Sequence, residues 1–171
     1  MEIIPDKVLD NIIELLENCR GVEQRKDYHP EGDVLNHSIR CFHIAVKEST
    51  DIDLVLAALL HDVGKAIEKY GHDDIAFTLL EDLVSIKTGW LISQHMRVCA
   101  FIEGDMKRIG KIRELIGHPW FPDLIHLVRI DKMGRNPNRK IELSKDIIQK
   151  GLERVVKNHF LESREHAQAT E

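Results

Sequence analysis

Leu59-Leu60-His61-Asp62-Val63-Gly64-Lys65-Ala66 sets a histidine and an aspartate side by side after the apolar run Leu54 to Leu60. A carboxylate beside packed leucines costs several kcal/mol unless a cation, a protonation change or a dense hydrogen-bond shell offsets it. Metal ligation is the leading physical reason to put an imidazole and a carboxylate there together.

Working outward, Asp51 caps a helix that carries the apolar run into His61-Asp62 and ends near Gly64. Upstream, Val8, Ile12, Leu15, Leu16 and Cys19 mark an amphipathic first helix, and Asp33 caps a second that runs to about Lys47. Downstream, helices are expected over about 72–83, 86–98, 105–115, 122–133 and 143–160. Gly117-His118-Pro119 and Asn136-Pro137-Asn138 break the pattern between them. No alternating strand is found, and aromatic residues are only 5% of the chain, so the fold class is all-α. The expected organisation is one domain over 1–171, a helical bundle of seven to eight helices with a frayed polar tail at 162–171.

The net charge of -5 argues against a general affinity for nucleic acid and suits a small anionic substrate, although a local basic groove remains compatible with it. Cys19, Cys41 and Cys99 are odd in number, with no CxxC pair, and read as reduced buried thiols of a cytoplasmic protein. Glu2, Pro5, Asp6 and Asp10 interrupt any signal-peptide pattern, and no apolar stretch approaches the ~18 residues of a membrane span. No membrane partner is expected. Histidine is the outlier: there are ten, against about four at a usage of roughly 2%.

Helical neighbours three and four residues apart sort these histidines. His37 is in line with Val34, Cys41 and Ile44, and His61 with Leu54, Ala57 and Ala58. His72 opens the stripe Ile75, Ala76, Leu79, His95 shares a face with Leu91, Ile92 and Val98, and Asp131 continues Leu124, Leu127, Val128. His43 and His126 fall among charged residues and read as surface, and His118 and His159 are placed outside the site. A lone histidine on an apolar stripe is ordinarily a hydrogen-bonded core residue. Four of them with Asp62 and Asp131 make a poor apolar core but a good cage for one or two divalent cations.

The ordered set His37, His61-Asp62, Asp131 resembles the HD-domain metal-dependent phosphohydrolase superfamily. His29-Pro30-Glu31-Gly32-Asp33-Val34, HDVGK at 61–65, Gly71-His72 and Asp131-Lys132-Met133-Gly134-Arg135 are locally most similar to the HD domain of bacterial CCA-adding tRNA nucleotidyltransferases. The likeness runs over about 28–135. The nucleotidyltransferase portion is not expected within these 171 residues, so a role in adding CCA is not carried over. The cyclic-dinucleotide phosphodiesterases of the superfamily are a poorer match, because no GYP signature follows and Met96, not a second histidine, succeeds His95.

The resemblance implies that His37, His61, Asp62 and Asp131 bind one metal, and that His72 and His95 recruit a second, bridged by Asp62. Iron, manganese, cobalt, nickel, zinc and magnesium are all compatible with such donors. It also implies a phosphate ester, a nucleotide above all, as the small substrate, hydrolysed by a metal-activated water. Asp62 and Lys65 are the expected catalytic residues, and Lys65, Arg135, Arg40 and Arg97 the expected phosphate contacts, each with an ordinary solvated-face reading beside it. Two alternatives stand: a dinuclear-iron oxygenase of the same superfamily, and a non-catalytic nucleotide-binding module. The amphipathic first and last helices either cover the core or form a homodimer surface.

Overall fold

A computed structural model describes residues 3–30, 32–135 and 142–169, with side chains to 166. Glu31 and the Asn136-Pro137-Asn138 breaker lie outside the described residues. The order is α1 (Asp6–Glu17), α2 (Val34–Glu48), α3 (Ile52–Leu60), a 3-10 turn (Val63–Ala66), α4 (His72–Leu80), α5 (Ile86–Ile102), α6 (Ile109–Ile116), α7 (Phe121–Gly134) and α8 (Lys145–Ala169). Among the described residues the only β feature is an isolated antiparallel bridge between Glu23 and Asp33. The chain is all-α.

A helix that is apolar all round belongs in the middle of a bundle, and α3 is placed there. Every residue from Leu54 to Leu60 is buried, and α2, α5, α7 and α8 pack around it. Each such leucine, removed from water, contributes roughly 1.5–3 kcal/mol. The first and last helices close the core: Leu9, Ile12 and Leu16 of α1 and Ile148, Leu152 and Val155 of α8 are buried.

Caps fix where the central helices begin. Asp51 Oδ1 accepts from Asp53 N at 2.9 Å, and Asp33 Oδ1 accepts from Asn36 N at 2.8 Å. The other oxygen of Asp33 accepts from Gly21 N at 2.9 Å, which pins the loop before α2 to the start of that helix. Ser85 caps α5, and Lys87 in its first turn bridges Asp51 and Asp123 at 2.5 and 2.8 Å, tying α3, α5 and α7 together.

Several boundaries differ from expectation: α4 ends at Leu80, before 83, and α5 runs on to Ile102, past 98. The third helix stops at Leu60 with His61 as its cap residue, and a 3-10 turn carries the chain past Gly64. α6 begins at Ile109 because Asp105 completes the end of α5 instead: Gly104 is left-handed at φ 80° and Asp105 N bonds back to Ala100 O at 2.8 Å. The polar segment after Glu162 is helical to Ala169, since no glycine or proline follows Gly151 to end it and Thr50 Oγ1 donates to Glu162 Oε2 at 3.0 Å. Among the described residues no helix is long and apolar enough to cross a membrane.

Candidate metal centre

Five helices, by their ends or faces, deliver the polar side chains to one buried point. His37 comes from α2, His61 and Asp62 from the end of α3, His72 from the start of α4, His95 from the middle of α5 and Asp131 from α7. All six are buried, Asp131 the least so at 6% exposed. Gly64 lets α4 approach this closely, since a Cβ there would lie 2.0 Å from the His72 carbonyl oxygen.

Three of the imidazoles are oriented in the same way. Nδ1 of His61, His72 and His95 faces the carbonyl oxygen three residues earlier, at Ala58, Lys69 and Ile92, over 3.1, 2.9 and 2.6 Å. A carbonyl only accepts, so Nδ1 carries a proton and Nε2 of each ring is turned to the interior, where it offers a lone pair whenever the ring is neutral. A ring nitrogen tied in this way to a backbone carbonyl is the usual arrangement for a metal-ligating histidine.

Those lone pairs converge on acceptors. His72 Nε2 is 3.1 Å from Asp62 Oδ1 and 3.3 Å from His95 Nε2, while His95 Nε2 is 3.9 Å from the same Oδ1. On the other side, His37 Nε2 is 2.9 Å from Asp131 Oδ1. His61 Nε2 is buried without a hydrogen bond, 3.5 Å from Asp62 Oδ2 and 3.8 Å from Asp131 Oδ1. Lone pairs set against lone pairs are costly in a dry interior, and a divalent cation is what such a donor set fits.

Among the described residues two groups of donors could hold a metal ion: His37, Cys41 and His61, and Asp62, His72 and His95, each with its donor atoms within 4.8 Å of one another. Asp62 spans both, since Oδ2 faces His61 and His37 and Oδ1 faces His72 and His95. Burial opposes ionisation of Asp62, but His61, Lys65, His72 and His37 outweigh it and hold the carboxyl well below the usual range. Burial likewise opposes ionisation of Asp131, whose carboxyl is held low by His37 at 2.9 Å and by the nearby His61 ring. His95 goes the other way, pushed down to about 4 by burial and by His61.

A cavity of about 520 Å³ opens above these groups, of a size usual for small-molecule sites. Asp62, His72, His95 and Asp131 form its floor, and Lys65, Lys69, Arg25 and Arg135 bring positive charge to its walls. Lys65 Nζ is held between Asp62 Oδ2 at 2.7 Å and Gln24 Oε1 at 2.8 Å, and Arg135 donates to Asp131 Oδ2 at 2.9 Å. Arg40 and Arg97 are not among the lining residues, and Arg97 is turned to Gln94 Oε1. His126 sits at the surface with Glu48 and Arg129, and His118 stacks on Trp90 with ring centroids 3.8 Å apart.

Gln24 and Cys41 were not among the expected site residues. Gln24 lies in an irregular loop, where no periodicity assigns a face. Cys41 follows His37 by one helical turn on the same face, a signal that reads equally as core.

Residues 34–168 match the HD domain family, and the chain belongs to that family, whose superfamily comprises metal-dependent phosphohydrolases. It is also similar to proteins named multifunctional CCA protein. That of Cupriavidus pinatubonensis is 34% identical over 82 residues, covering 44% of this chain and 20% of that protein. That of Ralstonia nicotianae is 33% identical over 75 residues, 40% and 18% of the two chains. That of Acinetobacter baumannii is 43% identical over 47 residues, 28% and 11% of the two. The matched segments span 20% or less of these relatives' length.

Proposed function

We propose that the protein is a metal-dependent phosphohydrolase acting on a nucleotide or a related phosphate mono- or diester. The observation that carries this reading is the trio His61, His72 and His95, each with Nδ1 tied to a backbone carbonyl and Nε2 turned to the interior around Asp62.

His37, His61, Asp62 and Asp131 would hold one divalent ion, and His72 and His95 with the second oxygen of Asp62 another. Such ions supply a water of lowered pKa and neutralise phosphoryl oxygens when bound. The chain's own residues do the positioning. Lys65 keeps its ammonium on the cavity wall beside Asp62, where it balances the charge of an incoming phosphate. Arg135, steadied by Asp131, offers its remaining guanidinium donors to the phosphoryl oxygens. At the mouth, Tyr70 is 83% exposed and Arg25 lies 5.0 Å over the ring of Tyr28, giving flat faces on which a base can stack.

The test is phosphate release from a panel of nucleotides and simple phosphate esters, with each of iron, manganese, cobalt, nickel, zinc and magnesium added in turn. Turnover that chelation abolishes is expected. No turnover by protein shown to carry its metal would overturn the reading, and substrate-dependent oxygen uptake by an iron-loaded form would replace it with the oxygenase.

A further inference from the structure

We propose that Cys41 is a sulfur donor of the metal centre formed with His37 and His61, so that this half of the site selects a thiophilic first-row ion such as zinc, cobalt or ferrous iron over magnesium. The inference rests on the metal-centre reading above, and its test separates the two.

Cys41 is fully buried on α2, one turn beyond His37, with Sγ 3.5 Å from His37 Nε2. Metal bonds of about 2.3 Å to sulfur and 2.0–2.1 Å to nitrogen give a tetrahedral S···N edge of about 3.5 Å. The donor atoms of Cys41, His37 and His61 all lie within 4.8 Å of one another. A second observation points to a ligand here: His61 Nε2, on a residue 1% exposed, is directed into the same space with no hydrogen bond.

Neighbours keep the sulfur in place. Sγ also faces the Ile130 carbonyl oxygen, at a long 3.9 Å. Gly134 lies against both donors of α2, since a Cβ there would stand 2.5 Å from Cys41 Sγ and 3.2 Å from His37 Cε1. The other two thiols are elsewhere: Cys19 faces the carbonyls of Leu15 and Val63, and Cys99 is on the cavity wall. A thiolate among imidazoles and carboxylates favours zinc and iron over the oxygen-seeking magnesium. A cysteine that merely fills the core would leave the ion to nitrogen and oxygen alone.

The experiment is titration of metal-free protein with cobalt(II), followed by absorption. A near-ultraviolet thiolate-to-cobalt charge-transfer band is expected to rise together with the visible ligand-field bands. The band persists in the double variant Cys19→Ser/Cys99→Ser, which leaves Cys41 intact and assigns the band whether or not Cys41→Ser folds. In folded Cys41→Ser the band disappears, and zinc affinity falls by at least the ~10-fold that even an outer-shell partner carries. Ligand-field bands without a charge-transfer band in the wild type would overturn the sulfur assignment and leave the metal centre standing. Absence of both bands would remove the metal centre and the sulfur assignment with it.

Discussion

His72 Nε2 lies 3.1 Å from Asp62 Oδ1, while Oδ2 of the same carboxylate is turned to Lys65 and His61. One buried aspartate thereby joins α4 and α5 on its Oδ1 side to α2, the end of α3 and the 3-10 turn on its Oδ2 side.

Lys65 ties Asp62 to Gln24 across the cavity wall. Lys65→Met is expected to lower kcat by roughly 10²-fold, as for removal of one preorganised electrostatic donor. Bound metal, measured by elemental analysis, stays at the wild-type level, because the ammonium is not a donor to the ion. Gln24→Leu, which frees the ammonium without removing it, is expected to give a smaller loss of the same kind.

Gly64 has the His72 backbone against it, with carbonyl oxygen and carbon 2.0 and 2.9 Å from the place of a Cβ. Backbone cannot rotate away as a side chain can. Gly64→Ala should therefore cost about 1–3 kcal/mol by overpacking, with α4 displaced. Gly110→Ala is the control, in a helix with nothing within 4 Å of the added carbon, and should be neutral or stabilising. Thermal melts of the two variants distinguish the effects.

His95 sets a pH dependence in metal-free protein. Its folded pKa is about 4 against an ordinary 6.5, because burial and His61 disfavour its charge. Between those values the unfolded chain binds the proton and the native chain does not, so the contribution of His95 to stability is full above 6.5 and is lost on acidification towards 4. Calorimetry in chelator should show melting temperature falling across that window, and a flatter profile in His95→Leu.

Burial also pushes the Cys99 and Cys19 thiols up, to about 11 and about 12. The thiolate is the reactive form, so native protein at about pH 7.5 should react slowly with a disulfide reagent. Denatured protein should release all three thiols at once. Rapid reaction of the native fold would show that these cysteines are more open than they stand here.

Much of this was legible because helical periodicity and ligand chemistry pull in opposite directions. His37, His72, His95 and Asp131 each occupy a position that the stripe reserves for leucine, and all are buried together. Asp33 and Asp51 sit where side-chain caps are needed, and α2 and α3 begin there. Less legible were contacts from segments without a period, such as Gln24 on Lys65. The start of α6 was also hidden, because Asp105 reads locally as a helix-starting residue while a left-handed Gly104 binds it to the helix before. Arg40 and Arg97 show the remaining difficulty: closeness in sequence to a site residue does not turn a side chain towards the cavity.

Elemental analysis of protein purified without chelator shows whether His37, His61, Asp62, His72, His95 and Asp131 form a metal cage. One to two equivalents of a first-row divalent metal per chain are expected, with less in His72→Ala and His95→Ala and nearly none in Asp62→Asn. Wild-type protein that carries no stoichiometric metal and takes up none on reconstitution, while remaining folded, would contradict it.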